Sequence, residues 1–144
     1  MKKLMLIGKT SCGKTTLTQA LNKKNLFYKK TQTVEIIDSI IDTPGEYIES
    51  RFFYNALIIT SVDSDVIAMV QDCTEENSVF PPSFASRFGK PVIGIITKLD
   101  LCRDENNIKI AEEFLLNAGV ERIFKVSAYD RQGVEDLKEY LIKS

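Results

Sequence analysis

The run GKTSCGKT at residues 8–15 decides the fold. It stands directly behind the apolar segment LMLI at residues 4–7 and ahead of a stretch with Leu17, Ala20 and Leu21 at i, i+3, i+4 spacing. That order predicts strand, glycine loop and amphipathic helix. The run matches GxxxxGK[ST], a phosphate-cradling loop. Its glycines let the backbone curl until several N–H groups converge on one point. The helix beginning near Lys14 adds its positive end there. A polyphosphate suits such a cup, and the residues expected around it are Gly8, Lys9, Thr10, Ser11, Cys12, Gly13, Lys14, Thr15 and Thr16.

The bulk properties agree with that reading. A chain of 144 residues, 44% hydrophobic and 27% charged, is the size of one domain and can cover a sheet with helices on both faces. A net charge of −1 speaks against a general nucleic-acid binder, which needs a basic face. The local cluster Lys23, Lys24, Lys29 and Lys30 reads as a solvated helix end and loop. Three cysteines without paired spacing make neither a disulfide framework nor a zinc site. The absence of histidine excludes Ser-His and Cys-His nucleophile pairs. No run is long enough to span a bilayer, and no cleavage site follows the first apolar run, so the expected location is cytoplasmic.

Apolar runs of strand length alternate with helical patterns. Strands are expected at residues 3–7, 33–37, 39–41, 66–70, 92–96 and 122–126, the second and third close enough to form an edge hairpin. Ile108, Ala111, Leu115 and Ala118 line a helix that should stop at Gly119. Val134, Leu137 and Leu141 mark a closing helix. The order β-α-β-β-α-β-α-β-α-β-α predicts a three-layer α/β/α fold over residues 1–144. Its six-stranded sheet is mostly parallel, with one antiparallel edge strand. Such folds take ligands at the carboxyl ends of their strands.

The residues that follow the strands fit one ligand. Asp42-Thr43-Pro44-Gly45 follows the third. The Asp42 carboxylate can complete, through water, a magnesium shell begun by the Thr15 hydroxyl, and the Gly45 N–H can meet a terminal phosphate. Thr97-Lys98-Leu99-Asp100 follows the fifth strand. The Asp100 carboxylate can accept two hydrogen bonds from guanine N1–H and N2–H, whereas adenine has no N1 proton to offer. The Lys98 stem is expected across the base plane. Ser127-Ala128 follows the sixth strand, where backbone N–H groups can support the guanine O6.

GKTSCGKT, DTPG, TKLD and SA, in this order and spacing, resemble the first, third, fourth and fifth signature elements of the small Ras-like translation-factor GTPases. More narrowly, KKTQTVE at residues 29–35 and DTPGEY at residues 42–47 resemble the EutP/PduV family of ethanolamine- and propanediol-utilisation proteins. Those are P-loop proteins encoded with bacterial microcompartment enzymes. The resemblance implies that Lys14 neutralises β- and γ-phosphate oxygens and that Thr15 binds magnesium. It implies that Thr31 is the switch threonine, with Thr33 its rival, and that Asp42 and Gly45 form a second switch. It also implies a GTP/GDP cycle, a protein partner such as a microcompartment component or GTPase-activating factor, and a place at a microcompartment.

Three residues depart from the GTPase pattern. Thr97 replaces the usual Asn, and its hydroxyl can make only part of that side chain's bonds. Glu46 stands where many GTPases carry a water-orienting Gln, and a carboxylate there cannot donate to the γ-phosphate. Ser11 replaces the Asn of potassium-activated members. With Arg51 the one nearby internal arginine, and more simply a surface residue, slow hydrolysis is expected. Cys12 reads as a small residue that fits the loop, with a reactive thiolate as the sharper alternative. Two rival functions remain open: an ATP-dependent small-molecule kinase and a nucleotide-stabilised adaptor.

Overall fold

β1 (Leu4–Gly8) is buried along its whole length and sets the plan of the molecule. A computed structural model describes residues 2–21, 35–37, 40–102, 104–127 and 131–142. β1 runs into the loop and α1 (Lys14–Leu21), followed by β2 (Glu35–Ile37) and β3 (Ile40–Asp42). A broken helical segment comes next, α2 (Glu46–Glu49), a 3-10 turn (Arg51–Phe53) and α3 (Tyr54–Ser61). β4 (Val66–Asp72), β5 (Val92–Thr97), α4 (Glu105–Ala118), β6 (Ile123–Lys125) and α5 (Val134–Ile142) complete the chain.

The six strands form one sheet in the order β2-β3-β1-β4-β5-β6. Among the described residues only the β2–β3 pair is antiparallel; β1 pairs in parallel with both β3 and β4, β4 with β5, and β5 with β6. The expected sheet is borne out, including its antiparallel edge. Because β1 lies between β3 and β4, the connections leaving these strands diverge to opposite faces. A crevice opens at their carboxyl ends, where the glycine loop sits.

Alternation along the strands divides the core in two. Met5, Ile7, Ile67, Met69 and Ile96 pack with Ile48, Leu57, Phe84 and Leu115 on the face covered by α2, α3 and α4. Leu4, Leu6, Val66, Val70 and Ile95 pack with Leu17, Leu137 and Leu141 on the face covered by α1 and α5. Each such buried side chain contributes about 1.5–3 kcal/mol. The site therefore rests on strands fixed from both sides.

Two helical expectations need correction. The element between β4 and β5 is only a 3-10 turn (Phe84–Arg87), introduced by Ser83 at φ 58°. Pro81, Pro82, Gly89 and Pro91 leave too little chain for a regular helix, although Phe84, Ala85 and Phe88 still bury themselves. The helix after β3 is also interrupted, because Ser50 adopts extended backbone and its side chain caps the next turn at Phe52 N. α4 does stop at Gly119, which is left-handed at φ 97°.

Candidate functional site

The loop after β1 is closed by a hydrogen bond from Cys12 N–H to the Lys9 carbonyl at 3.1 Å. Gly13 has φ +102°, a conformation that few side chains tolerate, and Ser11 sits at φ 67° beside it. The Lys14 side chain folds back into this curl. Its ammonium donates to the Gly8 carbonyl at 2.7 Å and the Lys9 carbonyl at 3.1 Å, and the residue is only 6% exposed. A cation held in place and stripped of bulk water next to a helix N-terminus is a strong anion site. Thr16 is buried one residue into α1 beyond Thr15.

β3 delivers Asp42 to the same end of the sheet. The Thr15 hydroxyl donates to Asp42 Oδ2 at 2.8 Å, and Asp42 is 1% exposed. A hydroxyl and a buried carboxylate are hard oxygen donors, the type that suits magnesium when water fills the remaining positions. The residues present thus fit that ion. Thr43 pins the following turn by donating to the Leu6 carbonyl at 2.7 Å. Gly45 approaches so closely that an added Cβ would lie 2.2 Å from Thr10 N, leaving no room for any side chain. The DTPG turn therefore sits directly on the glycine loop.

The turn after β5 is tied to the loop by side chains. Thr97 Oγ1 donates to the Cys12 carbonyl at 2.5 Å, and Lys98 Nζ donates to the Ser11 carbonyl at 2.7 Å. The same Lys98 ammonium pairs with Asp72 Oδ2 at 2.8 Å. The Asp72 Oδ1 atom accepts from the Thr74 N–H and hydroxyl at 2.8 and 2.7 Å, which holds that carboxylate still. Ser127 Oγ donates to Asp100 Oδ1 at 2.9 Å, joining the ends of β5 and β6.

Several sequence expectations change here. Ser127 N–H donates to the Gln132 carbonyl at 2.9 Å, so the backbone donor expected to face a base is engaged within the chain. Glu46 is exposed at the first position of α2, and Glu49, at the end of the same helix, accepts from Thr10 Oγ1 at 3.0 Å. Arg51 is exposed in the 3-10 turn, as its simpler reading held. Cys12 is buried, and burial pushes its thiol above the ordinary 9.0 despite the opposing pull of the Lys14 ammonium and N–H. It is a packing residue, not an activated nucleophile. Thr31, Thr33, Ala128 and the lysine cluster lie outside the described residues.

With this geometry in view, the comparisons with known proteins are specific. A family model described as ethanolamine utilisation - propanediol utilisation, PduV-EutP, matches residues 1–143. The chain belongs to the PduV-EutP family. It is 40% identical over 141 residues to the propanediol utilization protein PduV of Citrobacter freundii, covering 98% of this chain and 93% of that one. It is 34% identical over 144 residues to the probable acetate kinase EutP of Escherichia coli strain K12, covering 98% and 89%. At 29% identity over 161 residues it is also similar to GTPase Era of Rhizobium meliloti, covering 96% of this chain and 51% of that one. The PduV-EutP chain thus has the P-loop GTPase fold, with GTPases among its distant relatives.

Sequence reasoning missed four contributors in this PduV-EutP chain: Glu49, Asp72, Glu75 and Gln71. Lys9 pairs with Glu75 at 3.1 Å, and Gln71 offers its carbonyl to Thr97 Oγ1 at 3.5 Å. Asp72 had a local signal, since an acid ending a buried apolar strand needs a cationic partner. Glu49 and Glu75 had none, because their partners lie in a loop far away in sequence. Among the described residues, no group of three or more metal-ligating Cys, Asp or Glu side chains occurs, and no helix is long and apolar enough to cross a membrane.

Proposed function

We propose that the chain binds a magnesium-bound guanine nucleotide and hydrolyses GTP slowly, as a switch serving ethanolamine or propanediol utilisation. One observation carries the reading: Thr97 and Lys98 bond to the Cys12 and Ser11 carbonyls, so the base turn is fastened to the phosphate loop. Asp100, two residues beyond Lys98, would then meet the base while the loop holds the phosphates. In this reading Gly8, Lys9, Thr10, Ser11, Cys12, Gly13 and Thr16 wrap the phosphates, and Lys14 turns from its loop carbonyls toward β- and γ-oxygens. Thr15 and Asp42, with Thr31 from the first switch, would hold magnesium. When bound, the ion neutralises charge on the phosphate oxygens.

Specificity follows from Asp100, oriented by Ser127, with Lys98 and Ala128 completing the base site. A carboxylate fixed there meets both guanine donors, while an adenine leaves it unpaired; sites built on such pairs reject the wrong partner by about 10⁴. Slow turnover follows from the exposed position of Glu46, together with the absence of arginine from residues 8–15. The Gly45 turn would sense the terminal phosphate, and its relaxation after hydrolysis would release a protein partner. ATP is the weaker nucleotide, and the setting is the cytoplasm, at a microcompartment.

A second reading rests on the name of the Escherichia coli relative, a probable acetate kinase. Here the γ-phosphate would pass to a small carboxylate. Hydroxylamine trapping of acyl phosphate, with ATP or GTP and with acetate present or absent, separates the two readings. The switch predicts slow GTP-dependent phosphate release that acetate does not stimulate, and no hydroxamate. Hydroxamate formation would establish the kinase.

A further inference from the structure

The molecule carries a thiol pair that the nucleotide reading does not use. Cys73 follows β4, with its N–H bonded to the Thr97 carbonyl at 3.2 Å. Its thiol donates to the Lys98 carbonyl at 3.2 Å. Cys102 closes the 3-10 turn Leu99–Leu101 through its N–H to the Leu99 carbonyl, and its own thiol donates to the Cys73 carbonyl at 3.4 Å. The pair therefore brackets the whole base turn, one cysteine beneath Lys98 and the other at its exit. Cys73 is buried, whereas Cys102 is partly open to solvent. Burial, with Cys102 beside it, pushes the Cys73 thiol well above its ordinary value.

We propose that Cys73 and Cys102 are a redox-modification site, forming a reversible disulfide that loosens the base turn. The co-reactant is a peroxide. Cys102, the accessible sulfur, attacks the peroxide O–O bond and becomes a sulfenic acid, releasing water. The Cys73 thiol, still protonated, passes its proton to the sulfenic hydroxyl as it closes on the sulfenyl sulfur; the S–S bond forms and the hydroxyl leaves as a second water. Two thiols and one hydrogen peroxide give one disulfide and two waters. A small dithiol reverses the step by exchange. Two consequences reach the turn. The Cys73 S–H that supports the Lys98 carbonyl is gone, and Lys98 holds a left-handed backbone at φ 58° that needs such support. The end of the turn is also drawn onto β4.

The regulatory half of this inference rests on the guanine-nucleotide reading; the chemical half does not. The full chain is treated with hydrogen peroxide, digested without reduction and mapped by mass. A cross-linked peptide pair containing Cys73 and Cys102, lighter by two hydrogens and reversed by dithiothreitol, is expected. Cys102→Ser and Cys73→Ala should each abolish it, while Cys12→Ser should keep it. Oxidation of Cys102 to sulfinic acid without any cross-link, or cross-links only between chains, would overturn the site. In parallel, oxidation should weaken GDP binding about fivefold, the loss of one weak hydrogen bond, and Cys102→Ser should be insensitive. GDP affinity equal in both redox states would overturn the regulatory half. If neither form binds nucleotide while the cross-link forms, the nucleotide reading fails and the modification site stands.

Discussion

The two ends of the site are made by different means. At the phosphate end the work is done by backbone: Gly13 at φ +102°, Gly45 with no space for a Cβ, and an ammonium inside the curl. At the base end the work is done by side chains reaching distant carbonyls, Thr97 to Cys12 and Lys98 to Ser11. The first kind of site recognises charge and shape common to every nucleotide. Under the proposed function the second would recognise one base, with a hydroxyl standing in for an amide at Thr97. Affinity would then be set at one end and choice at the other.

The sharpest way to break this division is Lys14→Ala. It removes charge-assisted bonds to phosphate and should lower GDP and ADP binding alike by about 10³, with circular dichroism unchanged. Asp100→Asn should act on the ratio instead, erasing about 10² or more of the guanine preference while ADP binding stays as it was. Nucleotide competition measures both. Equal losses for the two bases with Asp100→Asn would merge the two ends into one.

Gly45→Ala pushes a methyl against Thr10 backbone rather than a yielding side chain. It should displace the DTPG turn at about 1–3 kcal/mol and weaken triphosphate more than diphosphate. Thr97→Val keeps shape but deletes the tie to Cys12, and it should cost about 1 kcal/mol in GDP binding. Unchanged affinity would show that Lys98 alone fastens the two ends. The smallest effect is at Cys12. Its raised thiol stays protonated in the native state while the unfolded thiol ionises near 9.0, so stability is intact below that pH and falls as pH rises above it. Denaturant melts should decline between pH 9 and 10 by about 1 kcal/mol more in the wild type than in Cys12→Ala.

The same division explains what the sequence made legible. Residues 8–15 and 42–45 were readable because backbone geometry demands glycine at fixed spacing. The buried runs of β4 and β5 were readable because both faces are covered. The helix expected between β4 and β5 from the alternation of elements is only the 3-10 turn Phe84–Arg87, because the prolines and Gly89 around it cut a regular helix short. Glu49 was invisible because its contact with Thr10, 39 residues away in sequence, leaves no periodicity, whereas Asp72 at the end of β4 carried a signal that went unread. Ser127 was placed correctly at its strand end but given the wrong donor, because the partner of its N–H, Gln132, lies on the return of the same loop.

Calorimetric titration of the intact chain with GDP and with ADP, in magnesium buffer, tests the central claim most directly. The account predicts one molecule of GDP bound per chain, with ADP at least about 10² weaker. Uptake of neither nucleotide, or ADP bound as tightly as GDP, would contradict it.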